Sequence, residues 1–182
     1  MNARSTLTPP DTEIADPKII DPSDLDHRVS KAIDRLLEKD DYLLRHDANE
    51  RSITHHLACY LQEEFPEYDV DCEYNKDCDS KNNIKMLNTN RRKNGRVFPD
   101  IIVHKRGTNS KNLLVIEAKK TNGDHGNSNS DREKLYGYLT EYEYKYALFL
   151  KFRTGDVNVG LEECVWMCKC RHSLRKDTET RS

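Results

Sequence analysis

The chain has 182 residues, of which 35% are apolar and 34% charged, with a formal net charge of −2. That length suits one domain with a real core. The absence of a long apolar run excludes a membrane span, and the balanced charge excludes a polycation, so nucleic-acid binding would need a local basic patch. The opening MNARSTLTPPDTEIADP lacks an apolar signal core, which argues against secretion and for a cytoplasmic protein. The six cysteines, Cys59, Cys72, Cys78, Cys164, Cys168 and Cys170, then read as free thiols rather than disulfides.

Residues 1–20 are rich in Pro, Thr and Asp and read as a flexible N-terminal segment. From residue 21 the pattern turns helical, with Val29, Ile33, Leu36 and Leu37 at helix spacing, Ser23 or Asp24 as cap, and an end near His46. A second helix follows with Ile53, Leu57, Tyr60, Leu61 and Phe65 as its stripe, Asn49 as N-cap and Pro66 as its stop. Glu50 falls in its first turn, where a carboxylate suits the helix dipole.

DVDCEYN alternates like a short strand. Residues 75–96 are rich in Asn and Lys and read as a long loop with at most a broken strand. VFPDIIVH and LLVIEAKK read as two strands joined by the turn RGTNSKN. After the loop TNGDHGNSNS, SDREKLYGYLTEYEYKY reads as a helix with Leu135, Tyr138, Leu139 and Tyr142 on one face. YALFLKF and VGLEECVWMCKC are expected as the last strands, and residues 173–182 as a polar tail. The order predicts a single α/β domain over 21–172, with a mixed sheet and the third helix as a crossover.

Charged residues inside the two central strands need partners. Strand alternation puts Val115, Glu117 and Lys119 on one face of LLVIEAKK, and Phe98, Asp100 and Ile102 on one face of VFPDIIVH. Pro99 places Asp100 where the ladder is disturbed. If the strands pair as a hairpin, Asp100 and Glu117 converge, with Lys119 one pleat along. Two close carboxylates favour a cation between them, and oxygen ligands select a hard ion, Mg²⁺ or Mn²⁺. The bland alternative is a strand end carrying a salt-bridged Glu-Lys pair.

Pro99-Asp100 followed by Glu117-Ala118-Lys119 resembles the PD-(D/E)XK nuclease superfamily, whose restriction-endonuclease-like core runs helix, three strands, helix, strand (αβββαβ). Residues 49–152 follow that order, with an extra N-terminal helix before them. The resemblance implies Asp100, Glu117 and the Ala118 carbonyl as metal ligands, and Lys119 as the catalytic lysine. Glu50 matches the acidic residue many members carry on the first core helix, which implies an added ligand or organiser. The implied activity is Mg²⁺- or Mn²⁺-dependent phosphodiester hydrolysis, with DNA as the expected partner. Many nucleases of this type need two copies to cut two strands, which leaves a homodimer open.

The flanks supply basic residues. Lys81, Lys85, Arg91, Arg92, Lys93, Arg96, Lys105 and Arg106 lie before the first motif strand or in the turn after it. Such a loop is an ordinary solvated one in isolation; beside a metal site it is placed to follow a phosphate backbone. Of these, Arg91, Arg92, Lys93 and Arg96 are the expected nucleic-acid contacts, joined by Lys134 and Tyr136 on the third helix. The rival reading is a catalytically inactive nuclease-fold protein that binds nucleic acid or a protein. Cys164, Cys168 and Cys170 with His172 fit no usual zinc spacing and read as structural.

Overall fold

A computed structural model describes residues 20–78, 84–89, 92–122, 128–155 and 158–169. The expected tail (173–182), His172 and Cys170, and all but the last residue of the expected N-terminal segment (1–20) lie outside them. Helix α1 spans Pro22–Lys39 and is capped by Asp21, whose carboxylate accepts from the Ser23 N–H at 2.8 Å. The cap is thus neither Ser23 nor Asp24. Pro22 is the first helical residue, where its missing N–H breaks no bond. Leu25, Val29, Ala32, Ile33 and Leu36 form the buried stripe.

The helix expected to run to His46 is broken. At Asp40 the backbone leaves helical geometry, and a short α2 follows over Asp41–Arg45. The Asp40 carboxylate is drawn to α3 (Glu50–Glu64), where it accepts from the Tyr60 hydroxyl at 2.5 Å and pairs with His56 at 3.2 Å. Asn49 caps α3 by accepting from the Arg51 N–H at 2.7 Å, and the helix stops at Phe65 before Pro66. Arg28, Lys31 and Arg35 of α1 reach Glu67, Glu64 and Glu63, tying α1 to the end of α3 and the turn beyond it.

Among the described residues seven strands follow: β1 (Asp69–Cys72), β2 (Met86–Thr89), β3 (Arg92–Arg96), β4 (Ile101–His104), β5 (Leu114–Lys120), β6 (Tyr146–Arg153) and β7 (Gly160–Cys168). Five form one mixed sheet in the order β1-β4-β5-β6-β7. The β5–β6 pair is parallel and is bridged by α4 (Ser128–Glu141); the other pairs are antiparallel. Ile101, Val103, Leu114, Ile116, Ala118, Leu148 and Leu150 share one core with α1 and α3. Ile102, Val115, Ala147 and Phe149 share the other with Leu135, Tyr138 and Leu139 of α4. Burial on both faces explains why the central strands read as continuous apolar runs instead of alternating ones.

The segment expected as a long loop, 75–96, contains the two-stranded antiparallel ribbon β2–β3. Its anchor is small, which is why composition hides it. Leu87 packs against Gly137 of α4 so closely that a Cβ there would lie 2.9 Å from the Leu87 methyls. The Tyr142 hydroxyl donates to the Met86 carbonyl at 2.7 Å. Lys85, expected in a solvated basic loop, is only 1% exposed. Its ammonium donates to the Tyr144 hydroxyl at 3.0 Å and lies over the rings of Tyr74, Tyr142 and Tyr144. Burial lowers its pKa to about 8. Helix α4 ends earlier than its tyrosine periodicity suggests, because Glu143 takes a left-handed φ of 56°. No helix among the described residues is long and apolar enough to cross a membrane.

Candidate active site

The register of β4 and β5 pairs Ile101 with Ile116 and Ile102 with Val115, so Asp100, just ahead of β4, comes opposite Glu117. Pro99 has no N–H to give, and the chain bends at Asp100. There the Asp100 carboxylate accepts from the Ala118 N–H at 2.8 Å, which fixes it against β5. Glu117 is 1% exposed. One of its oxygens, Oε2, accepts from the Lys134 ammonium at 3.1 Å, while Oε1 is buried with no hydrogen-bond partner.

Two residues on, β5 reaches its more exposed end and Lys119 emerges. Its ammonium donates to Glu50 Oε1 at 3.0 Å and stands 4.0 Å from Asp131 Oδ2. Glu50 opens α3, and Lys120 fixes the turn that leads into it. The Lys120 ammonium donates to the carbonyls of Asp47 and Ala48 at 3.1 and 3.0 Å and pairs with the Asp47 carboxylate at 2.9 Å. Asp47, at a left-handed φ of 48°, also accepts from the Thr154 hydroxyl at 2.7 Å. Asp131 and Lys134 come from the first half of α4, one turn apart, and pair at 3.0 Å.

Burial sets the electrostatics. Desolvation, and then the charge of Asp100, pushes Glu117 up to about 8 against the opposing pull of Lys134. Burial pushes Asp100 up to about 6, although the Ala118 hydrogen bond and Lys119 favour its ionised form. Lys134 moves the other way: burial disfavours its charge, but Glu117 and Asp131 more than compensate and hold it above the ordinary lysine value. The Glu117–Lys134 contact favours the ionised form of both groups, and burial opposes it at both. Burial wins for Glu117 and the contact wins for Lys134, because the carboxyl is wholly enclosed while the ammonium keeps part of its exposure. Lys119 likewise stays above its usual value through Asp131 and Glu50, despite burial.

The cluster thus holds four carboxyls (Glu50, Asp100, Glu117, Asp131) and two ammoniums (Lys119, Lys134), formally two negative charges in excess. Among the described residues, no three His, Cys, Asp or Glu side chains stand grouped as a ready ligand set for a metal ion. Comparison with family models, curated proteins and solved structures finds no match. What the site can do is therefore a question of its chemistry alone.

Five residues singled out from the sequence meet here: Glu50, Asp100, Glu117, Ala118 and Lys119. Lys134, expected to touch phosphate, instead spans two carboxylates of the cluster. Tyr136 is 56% exposed and sits two residues further along α4, about 200° around the helix from Lys134. It is not part of the cluster. Arg96 is exposed at the end of β3; Arg92 and Lys93 lie on that strand, their side chains outside the described residues, as is the whole of Arg91. Arg106 is engaged elsewhere, its guanidinium forked on Asp71. Cys59, Cys72, Cys78, Cys164 and Cys168 are free thiols.

Asp131 and Lys120 escape a reading of the sequence. The only signal for Asp131 is its i,i+3 spacing to Lys134 on the helix after the motif. For Lys120 it is the second lysine of EAKK, which alternation turns to the opposite face from Lys119.

Proposed function

We propose that the chain is a metal-dependent nuclease of PD-(D/E)XK type, with a restriction-endonuclease-like core, that hydrolyses phosphodiester bonds in DNA. The observation that carries this reading is the enclosed Glu117 oxygen without a partner, beside Asp100 in a cluster of four carboxyls and two ammoniums. A buried acceptor left unsatisfied costs about 1–3 kcal/mol, and a cation relieves both that cost and the carboxylate repulsion.

The donor chemistry suits a hard divalent ion: the Asp100, Glu117 and Glu50 carboxylates and the Ala118 carbonyl, which do not stand as a ready ligand set, would have to draw together to hold Mg²⁺ or Mn²⁺. Such an ion, when bound, polarises a phosphate and acidifies a water molecule. The chain's own residues do the positioning. The Ala118 N–H holds Asp100 in place. Glu50 holds the Lys119 ammonium beside the acid pair, where it is placed to donate to a phosphate oxygen or to orient the attacking water.

The test is cleavage of labelled DNA, single- and double-stranded, with Mg²⁺ or Mn²⁺ and with EDTA. Wild type should cut only with the metal. Asp100→Ala and Lys119→Ala should each lose about 10²-fold or more. Equal cleavage by all three proteins removes the assignment, and salt-sensitive DNA binding without turnover points to an inactive binder.

A further inference from the structure

The resting contacts of Lys134 are unexpected for a residue facing a cation site. Its ammonium lies 3.1 Å from Glu117 Oε2 and 3.0 Å from Asp131 Oδ1, so it already supplies positive charge to the buried acid. The second Glu117 oxygen is left without a partner. Asp131 precedes Lys134 by three residues on the same helix, so the ammonium can release Glu117 and keep Asp131 by turning about its own side-chain bonds. Lys119, 4.0 Å from the other Asp131 oxygen, is the further cation that faces this carboxylate.

We propose that Lys134 is a built-in counter-ion that competes with the divalent cation for Glu117, and that Asp131 is the seat to which it withdraws when the cation binds. This rests on the proposed metal site and adds its regulation: binding exchanges one cation for another at a single carboxylate. The exchange has two consequences. Without metal, Lys134 offsets repulsion among buried acids and supports the fold. With metal, displacing an ammonium from a 3.1 Å contact weakens affinity, so occupancy follows the supply of divalent ions.

The experiment measures Mn²⁺ binding to the full chain without DNA, by the paramagnetic resonance signal of free Mn²⁺, together with thermal melting in EDTA. Lys134→Met should bind Mn²⁺ about tenfold tighter than wild type, the size expected when a like charge within 4–6 Å is removed. It should also melt lower in EDTA and gain more from Mn²⁺. Lys134→Gln gives the same comparison should the Met variant not fold, and Lys134→Arg should stay near wild type. Asp131→Asn should weaken Mn²⁺ binding in the wild type and have a smaller effect beside Lys134→Met, because its role passes through the lysine. Binding to wild type with equal or weaker binding to the Met and Gln variants overturns the competition and leaves the metal site standing. Absence of Mn²⁺ binding in all of them removes the metal site and this inference with it.

Discussion

Glu117 sits where its charge is least welcome, in a fully enclosed stretch of β5 with Asp100 alongside. Its carboxyl is pushed from an ordinary 4.5 to about 8, so between those values the unfolded chain has released a proton that the folded chain keeps. Stability therefore falls as pH rises through that window and levels off above it. Asp100 acts in the same direction between 3.8 and about 6. In EDTA the protein should melt at a lower temperature at pH 8.5 than at pH 5. Glu117→Gln should remove much of that slope and raise the melting temperature at pH 8.5 by about 4 °C or more. A wild-type melting temperature that stays level, or rises, across this range contradicts the account.

At the scale of elements, two devices aim the side chains. One is the hairpin register of β4 and β5, which brings Asp100 to Glu117. The other is the Lys120 clamp, which binds the turn before α3 to the end of β5 and so holds Glu50 near Lys119. Lys120→Met should cost about 1–3 kcal/mol in chemical denaturation, with Lys120→Arg recovering part of it. A loss below about 0.5 kcal/mol would mean that the turn holds without the lysine. The hairpin is legible in the sequence, because Asp100 immediately precedes one strand, Glu117 and Lys119 lie on the next, and strand alternation has period two. Asp131 is not: whether a helix residue meets the sheet depends on how α4 is rotated, and that is set by Leu135, Tyr138 and Leu139 seating on the second core. The ribbon β2–β3 is hidden for a related reason. It is held by Leu87 against Gly137 and by one tyrosine hydroxyl, not by an apolar run of its own. The break at Asp40 is equally hidden, since the groups that draw its carboxylate out lie a helix away.

For the molecule as a whole, a net charge of −2 means that any grip on DNA is local. Under the proposed reading the ribbon strand with Arg92, Lys93 and Arg96 supplies part of it. Replacing all three with Ala should weaken binding at every sequence tested. It should also reduce the slope of log affinity against log salt by up to about 2.7, near 0.9 for each phosphate no longer neutralised. An unchanged slope would move the DNA-binding surface away from the ribbon. The architecture as a mixed sheet between helices is readable from element order alone, since a helix between two apolar strands calls for a parallel crossover.

Apart from the Asp131–Lys134 pair, the acid cluster is built from contacts between distant segments. Lys119 finds Glu50 across 69 residues of sequence, and the turn that delivers Glu50 is pinned by Thr154 from 107 residues away. The cluster is therefore complete only where α3, the β4–β5 hairpin, α4 and the residue that follows β6 have come together, so a cut anywhere between Asp47 and Thr154 would separate parts that hold it.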